Sequence, residues 1–167
     1  RMSRGLGDVY KRQMLTFATT PVIHAENTTT NIVESHETDS LIEYFDDGSY
    51  LITTITTTTQ SSVTRSTSYT KIGEKRVDYY DSDDNPQWTY KLIGRFNVVE
   101  GVSAVCTEST YSSEVYVKGW SLTAHNNYTS SNIAYGTATY KKKVLFITTN
   151  THDVEVAIGC DKYGNVG

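Results

Sequence analysis

The stretch PQWTYKLIGRFNVV, residues 86–99, fixes more about the fold than any other part of the chain. Trp88, Tyr90, Leu92, Phe96 and Val98 fall on one side of a period-two alternation, and Thr89, Lys91, Arg95 and Asn97 fall on the other. Side chains alternate across a strand, so this pattern specifies a long strand with one buried and one wet face. Gly94 interrupts the apolar side and is read as a bend or bulge. THDVEVAIGC repeats the pattern with Val154, Val156, Ile158 and Cys160, and SAVCTES puts Ala104 and Cys106 on one face. No apolar stripe of period 3.6 competes with these. The 13 tyrosines and abundant threonines suit pleated, half-buried surfaces. Turn letters separate the strands: Asp47-Gly48 in FDDGSY, then DSDDNP, then VEGVS, and AHNNYTSSN between WSLTA and IAYGTATY. The predicted fold is all-β, a single antiparallel β-sandwich with a small barrel as the alternative.

The N-terminal region is set apart. One permitted back-translation of DVYKRQ, Asp8 to Gln13, resembles a sequencing-library adapter, so residues 1–13 are read as an artefact. MLTFATTPVIHA, residues 14–25, is uncharged and ends with Ile23 and Ala25 at the positions a signal peptidase reads, which predicts a truncated signal peptide. Residues 26–37 are polar and predicted to be a flexible leader, with the β-domain spanning 38–167. Residues 1–25 carry four basic residues and one acid. Without them 11 basic and 18 acidic residues remain, a net charge of −7. The only basic cluster is Lys141–Lys143, so neither nucleic acid nor a membrane is the expected partner. Export also sets the reading of the two cysteines. Cys106 and Cys160 are expected to form one disulfide, worth on the order of 4 kcal/mol, the alternative being two buried free thiols.

Motifs that would carry chemistry are few. DSDDN offers Asp81, Asp83 and Asn85 as a calcium-loop opening. Pro86 and Leu92 stand where such a loop needs Gly and Glu, and a polar hairpin turn has the same letters. No H-E-x-x-H, G-x-S-x-G or P-loop occurs, and no cofactor is expected. A catalytic grouping without a linear signature would have to use His125 or His152. Trp120, Tyr111, Tyr116 and Tyr128, with Tyr163, are the candidate ligand-stacking side chains; the competing reading is that they simply favour strands. The Thr-rich segment 52–70 reads as an edge hairpin. It resembles the inserting hairpins of aerolysin-like pore formers in composition but lacks lipid-facing apolar residues.

YFDDGSYLITTI, DYYDSDDNPQWTYKLIGRFNVVEGVSAVCTES and the terminal AIGCDKYGNVG together resemble small secreted β-rich proteins of gut Firmicutes, a domain of unknown function. The resemblance covers about residues 41–167 and departs at EGVSA, where an Asn-Gly type of turn is expected. It implies export, one β-rich domain and a Cys106–Cys160 pair, and it carries over no catalytic residue. The functional expectation is a secreted, non-enzymatic module that binds an extracellular glycan, cell wall or protein. A bacteriocin-like or membrane-active effector is the first alternative, and an enzyme without a linear motif is the second.

Overall fold

The computed structural model describes residues 32–61 and 68–167. They form eight strands and no helix: β1 (Ile32–Tyr44), β2 (Tyr50–Ser61), β3 (Ser68–Tyr80), β4 (Pro86–Val99), β5 (Ser103–Val115), β6 (Trp120–Ser130), β7 (Ile133–Val144) and β8 (Ile147–Gly159). Every pairing is antiparallel. β1 to β5 lie in chain order in a five-stranded sheet, and β6 to β8 form a three-stranded sheet. The all-β expectation holds, and the barrel alternative does not. After β5 the chain crosses over at residues 116–119 and starts a new sheet, so the described strands do not close into a ring. β1 begins at Ile32, paired with Ser61, so residues 32–37 are strand and not leader. The proposed artefact, the predicted signal peptide and residues 26–31 lie outside the described residues.

The long alternating strand behaves as its pattern requires. Trp88, Tyr90, Leu92, Phe96 and Val98 are all fully buried. They meet Ala134, Ala138 and Tyr140 of β7 and Val154, Val156 and Ile158 of β8, so the apolar sides of both sheets share one core. Gly94 is not itself the bulge. The irregularity lies one residue on, where Arg95 pairs with Glu108 and Phe96 with Cys106. A Cβ at Gly94 would stand 2.7 Å from the Phe96 ring and 3.0 Å from Ala134 Cβ, so the glycine is there for close approach of the sheets.

Three loops have one architecture. In 45–49, 81–85 and 161–165 the first residue's N–H donates to the fifth residue's carbonyl at 2.8, 3.1 and 2.9 Å. The fourth residue's N–H returns to the first carbonyl, and that fourth residue is left-handed: Gly48 at φ 83°, Asp84 at 62° and Gly164 at 81°. An aspartate holds each loop by accepting backbone N–H bonds: Asp47 from Ser49, Asp81 from Asp83 and Asn85, and Asp161 from Tyr163 and Asn165. Short Asx side chains do this readily, which explains why acidic letters dominate these turns. Two turns differ from the sequence reading. HNNYTS is strand, and β6 and β7 are joined only by Ser131 and Asn132. KKKVLFITT contains a two-residue turn at Leu145 and Phe146 between the paired residues Val144 and Ile147.

Trp88 centres an aromatic cluster. Its ring stacks on Tyr140 at 4.0 Å and on Tyr79 at 5.2 Å, while Trp120 and His152 close the end nearest the 45–49 loop. Burial pushes the His152 imidazole below its ordinary value of 6.5, against weaker upward pulls from Asp47 and Asp153. The unfolded chain protonates this residue near pH 6.5, whereas the folded chain resists the proton. Stability from this site is therefore fully present above about pH 6.5 and is lost as pH falls from there toward the lower folded-state value. Urea midpoints between pH 7.5 and pH 5 should fall in the parent protein and fall less in His152→Phe; equal slopes would remove His152 as the cause.

Candidate functional site

The outward face of the five-stranded sheet carries a row of tyrosines beside a cluster of charged groups. Strand register builds it. Tyr44 pairs with Tyr50, and Tyr50 with Tyr80, so three tyrosines from β1, β2 and β3 stand in a row. Tyr44 and Tyr50 lie 5.4 Å apart, and Tyr50 and Tyr80 stack at 5.0 Å with rings 9° from parallel. The Tyr50 hydroxyl donates to Asp84 at 3.0 Å. Desolvation, with that bond, pushes its pKa up to about 12, so the phenol stays neutral. Each of these tyrosines directly flanks a five-residue loop, 45–49 or 81–85.

Beside this row, Asp78 of β3, Thr89 of β4 and Glu114 of β5 share one register line. The Thr89 hydroxyl donates to Asp78, and the Arg76 guanidinium pairs with the same carboxylate at 2.7 Å. Tyr116 approaches from the crossover, its hydroxyl 3.1 Å from Thr89 Oγ1 and donating to Glu114 at 3.0 Å. One line further on, Lys91 pairs with Glu74 at 3.1 Å. Arg76, Thr89, Lys91, Ser112, Glu114 and Tyr116 line a groove of about 110 Å³. Pockets that enclose small molecules run to roughly 300–1,000 Å³, so this groove can seat one polar group of a ligand lying across the open face. Its hydroxyls and carboxylate acceptors begin one same-face rung from the tyrosine row, at Thr89 and Glu114, and its cationic donors Arg76 and Lys91 lie one rung further.

The other residues singled out from sequence are distributed differently. Trp120 is not a stacking surface: it is buried, donates its indole N–H to Gln87 at 3.1 Å, and has Lys142 over its ring. Tyr111 also turns inward, stacked on Tyr90 with its hydroxyl 2.7 Å from His125 Nε2. Tyr128 is exposed and stacks on Tyr135 at 4.9 Å on the second sheet. Tyr163 is exposed beneath Lys162. Only Tyr116 joins the site above.

Asp81 spends its carboxylate on the 81–85 loop, where the N–H of Asn85 above all pulls it below the usual carboxylate range, and Gln87 donates to its other oxygen at 2.8 Å. No cluster of three potential metal ligands occurs among the described residues. Asp81, Asp83 and Asn85 form a turn in which both Asp81 carboxylate oxygens accept hydrogen bonds. His125 bonds a tyrosine, and His152 Nε2 is buried without a partner, so neither makes the hydrogen bonds of a Ser-His-Asp triad.

The expected Cys106–Cys160 bridge is not formed. Both thiols are buried and free, each donating to a nearby carbonyl of its own chain segment, Cys106 to Glu108 and Cys160 to Asp161. Burial pushes the Cys160 thiol up to about 11 and raises Cys106 as well. No helix is long and apolar enough to cross a membrane among the described residues. No family model, curated protein or solved structure matches the chain.

Sequence reasoning missed Tyr44, Tyr50 and Tyr80. The signal was present in YFDDGSY and YYDSDDN, because a tyrosine beside a short hairpin loop is brought level with its neighbours once the register is set.

Proposed function

We propose that the protein is an exported, non-enzymatic β-sandwich module that binds an extracellular carbohydrate on the outward face of its five-stranded sheet. The observation that carries this reading is the Tyr44–Tyr50–Tyr80 row beside the Arg76–Glu114 groove. A pyranose ring has an apolar C–H face and a polar rim. The tyrosine row offers the first an apolar strip of ring edges that ends in the exposed Tyr44, and the groove offers the second both donors and acceptors. The groove's small volume favours a ligand laid along the surface, as a polysaccharide chain is, over a molecule enclosed for reaction. Export rests on residues 14–25 and on the resemblance over residues 41–167, since the two free thiols lend it no weight.

The test is retention of the full chain in native gels containing soluble polysaccharide, alongside co-sedimentation with insoluble cell wall. Retention by one polysaccharide is expected, with Tyr50→Ala weakening it about tenfold, as loss of the ring that holds the row together, worth roughly 1.5 kcal/mol, requires. Tyr128→Ala, on the other sheet, should leave it unchanged. Retention insensitive to Tyr50→Ala and Tyr80→Ala would sink the assignment of this face, and no retention on any polysaccharide would sink the carbohydrate reading.

A further inference from the structure

The β7–β8 turn breaks two ordinary rules of surface design at once. Val144, Leu145, Phe146 and Ile147 are 52, 85, 99 and 68 % exposed, whereas elsewhere among the described residues no more than two exposed large apolar side chains are consecutive. Contiguous exposed apolar surface on a soluble domain marks a contact site. The backbone adds a second departure. Leu145 and Phe146 both have positive φ, 48° and 70°, the conformation of a two-residue hairpin turn that Asn-Gly fills most easily. Both backbone comfort and solubility would replace Leu-Phe here, yet the chain presents two large apolar side chains at its outermost point.

What surrounds the tip says what it meets. Lys141, Lys142 and Lys143 precede it, and their partners across the hairpin, Thr151, Asn150 and Thr148, are uncharged. Lys143 N–H donates to Gly119 at 2.9 Å, which brings exposed Lys118 alongside. None of these four lysines makes an ion pair among the described residues. The carboxylates of Asp81 and Asp153 bond other groups: Asp81 holds its loop and Asp153 accepts from Thr139. An apolar point collared by unpaired cations matches the layering of a lipid surface, acyl chains beneath anionic headgroups. A second copy is disfavoured, because joining two tips would oppose two lysine collars. The overall negative charge does not forbid such docking, since fields at a surface fade over about 8–10 Å of physiological salt.

We propose that residues 144–147 form a bilayer-docking tip that enters the headgroup–acyl boundary of anionic membranes, with Lys118, Lys141 and Lys143 on the headgroups. This does not depend on the carbohydrate reading. The tip lies at the same end of the molecule as the 81–85 loop, because Lys142 sits over the Trp120 ring, Trp120 donates to Gln87, and Gln87 donates to Asp81, and the tyrosine row flanks that loop. Docking would thus hold the tyrosine face close to the membrane plane.

The experiment is flotation of the full chain with vesicles of phosphatidylcholine alone and with about one-third phosphatidylserine. The folded protein should float with the anionic vesicles and not the neutral ones. Leu145→Asn/Phe146→Gly suits the turn and should melt no lower than the parent, yet lose at least about tenfold in partitioning. Lys118→Gln/Lys141→Gln/Lys143→Gln leaves the turn intact and should weaken binding roughly fivefold per lysine, with most of the salt dependence gone. The proposal is overturned by absence of flotation, or by flotation that Leu145→Asn/Phe146→Gly leaves unchanged. It is equally overturned by a concentration-dependent dimer that this variant disperses while anionic vesicles bind nothing.

Discussion

Trp88→Ala should destabilise the domain by about 3–5 kcal/mol, one of the largest losses any single truncation here can produce. Trp88 is fully buried, and its ring is held between Tyr140 at 4.0 Å and Tyr79 at 5.2 Å, one from each sheet. Removing it opens a cavity between two stacked tyrosines that cannot collapse far. Tyr140 is tied to the Thr89 carbonyl at 3.1 Å and to Ser113 at 2.5 Å. Tyr79 lies in β3, locked between β2 and β4 by its ladder. Trp88→Phe should cost much less, because it keeps a ring in the stack and removes an indole N–H that is buried without a partner. Urea denaturation reads both, and a Trp88→Ala change inside about 1 kcal/mol would place this residue outside the core.

The position of Trp88 was legible because alternation is a one-dimensional signal. From Trp88 to Val98, and from Val154 to Cys160, the apolar face follows parity, and the structure buries it. The turns at 45–49 and 81–85 were legible for a related reason: Asp and Gly report a left-handed residue and an N–H acceptor locally. The same letters misled in HNNYTS, where β6 is mostly wet. There a polar run satisfies its backbone in the ladder, and Asn127 Nδ2 reaches across to the Ser109 carbonyl. Conversely, Leu145-Phe146 has no turn letters, so its hairpin was invisible, and that silence is itself what marks the tip as unusual. The tyrosine row was hidden because it exists only across strands, at a register that no single segment encodes. The disulfide was expected from compartment and shared facing. The structure instead turns each thiol to a nearby carbonyl.

Gly136→Ala tests the tightest point between the sheets, where a destabilisation of about 1–3 kcal/mol is expected for one added methyl group. Gly136 lies on the buried face of β7, between Ala134 and Ala138, facing the side chains of Tyr90 and Leu92 of β4. An added Cβ would stand 2.5 Å from the Tyr90 hydroxyl and 2.8 Å from Leu92 Cδ1. Tyr90 is fully buried, and its hydroxyl has no hydrogen-bond partner. Desolvation accordingly pushes its pKa up to about 12. That orphan oxygen makes the two positions interdependent. Tyr90→Phe alone removes an unsatisfied buried polar atom, so it should be neutral or stabilising, unlike the loss expected when a bonded tyrosine hydroxyl is deleted. In the double variant the deleted hydroxyl vacates the nearest clashing position, and the cost of Gly136→Ala should shrink by about 1 kcal/mol or more, the coupling that contacting core residues show. Leu92 remains close, so the rescue should be incomplete. Strict additivity of the two substitutions in a double-mutant cycle would mean that the sheets relax apart at this point, and that Gly136 is not where their spacing is set.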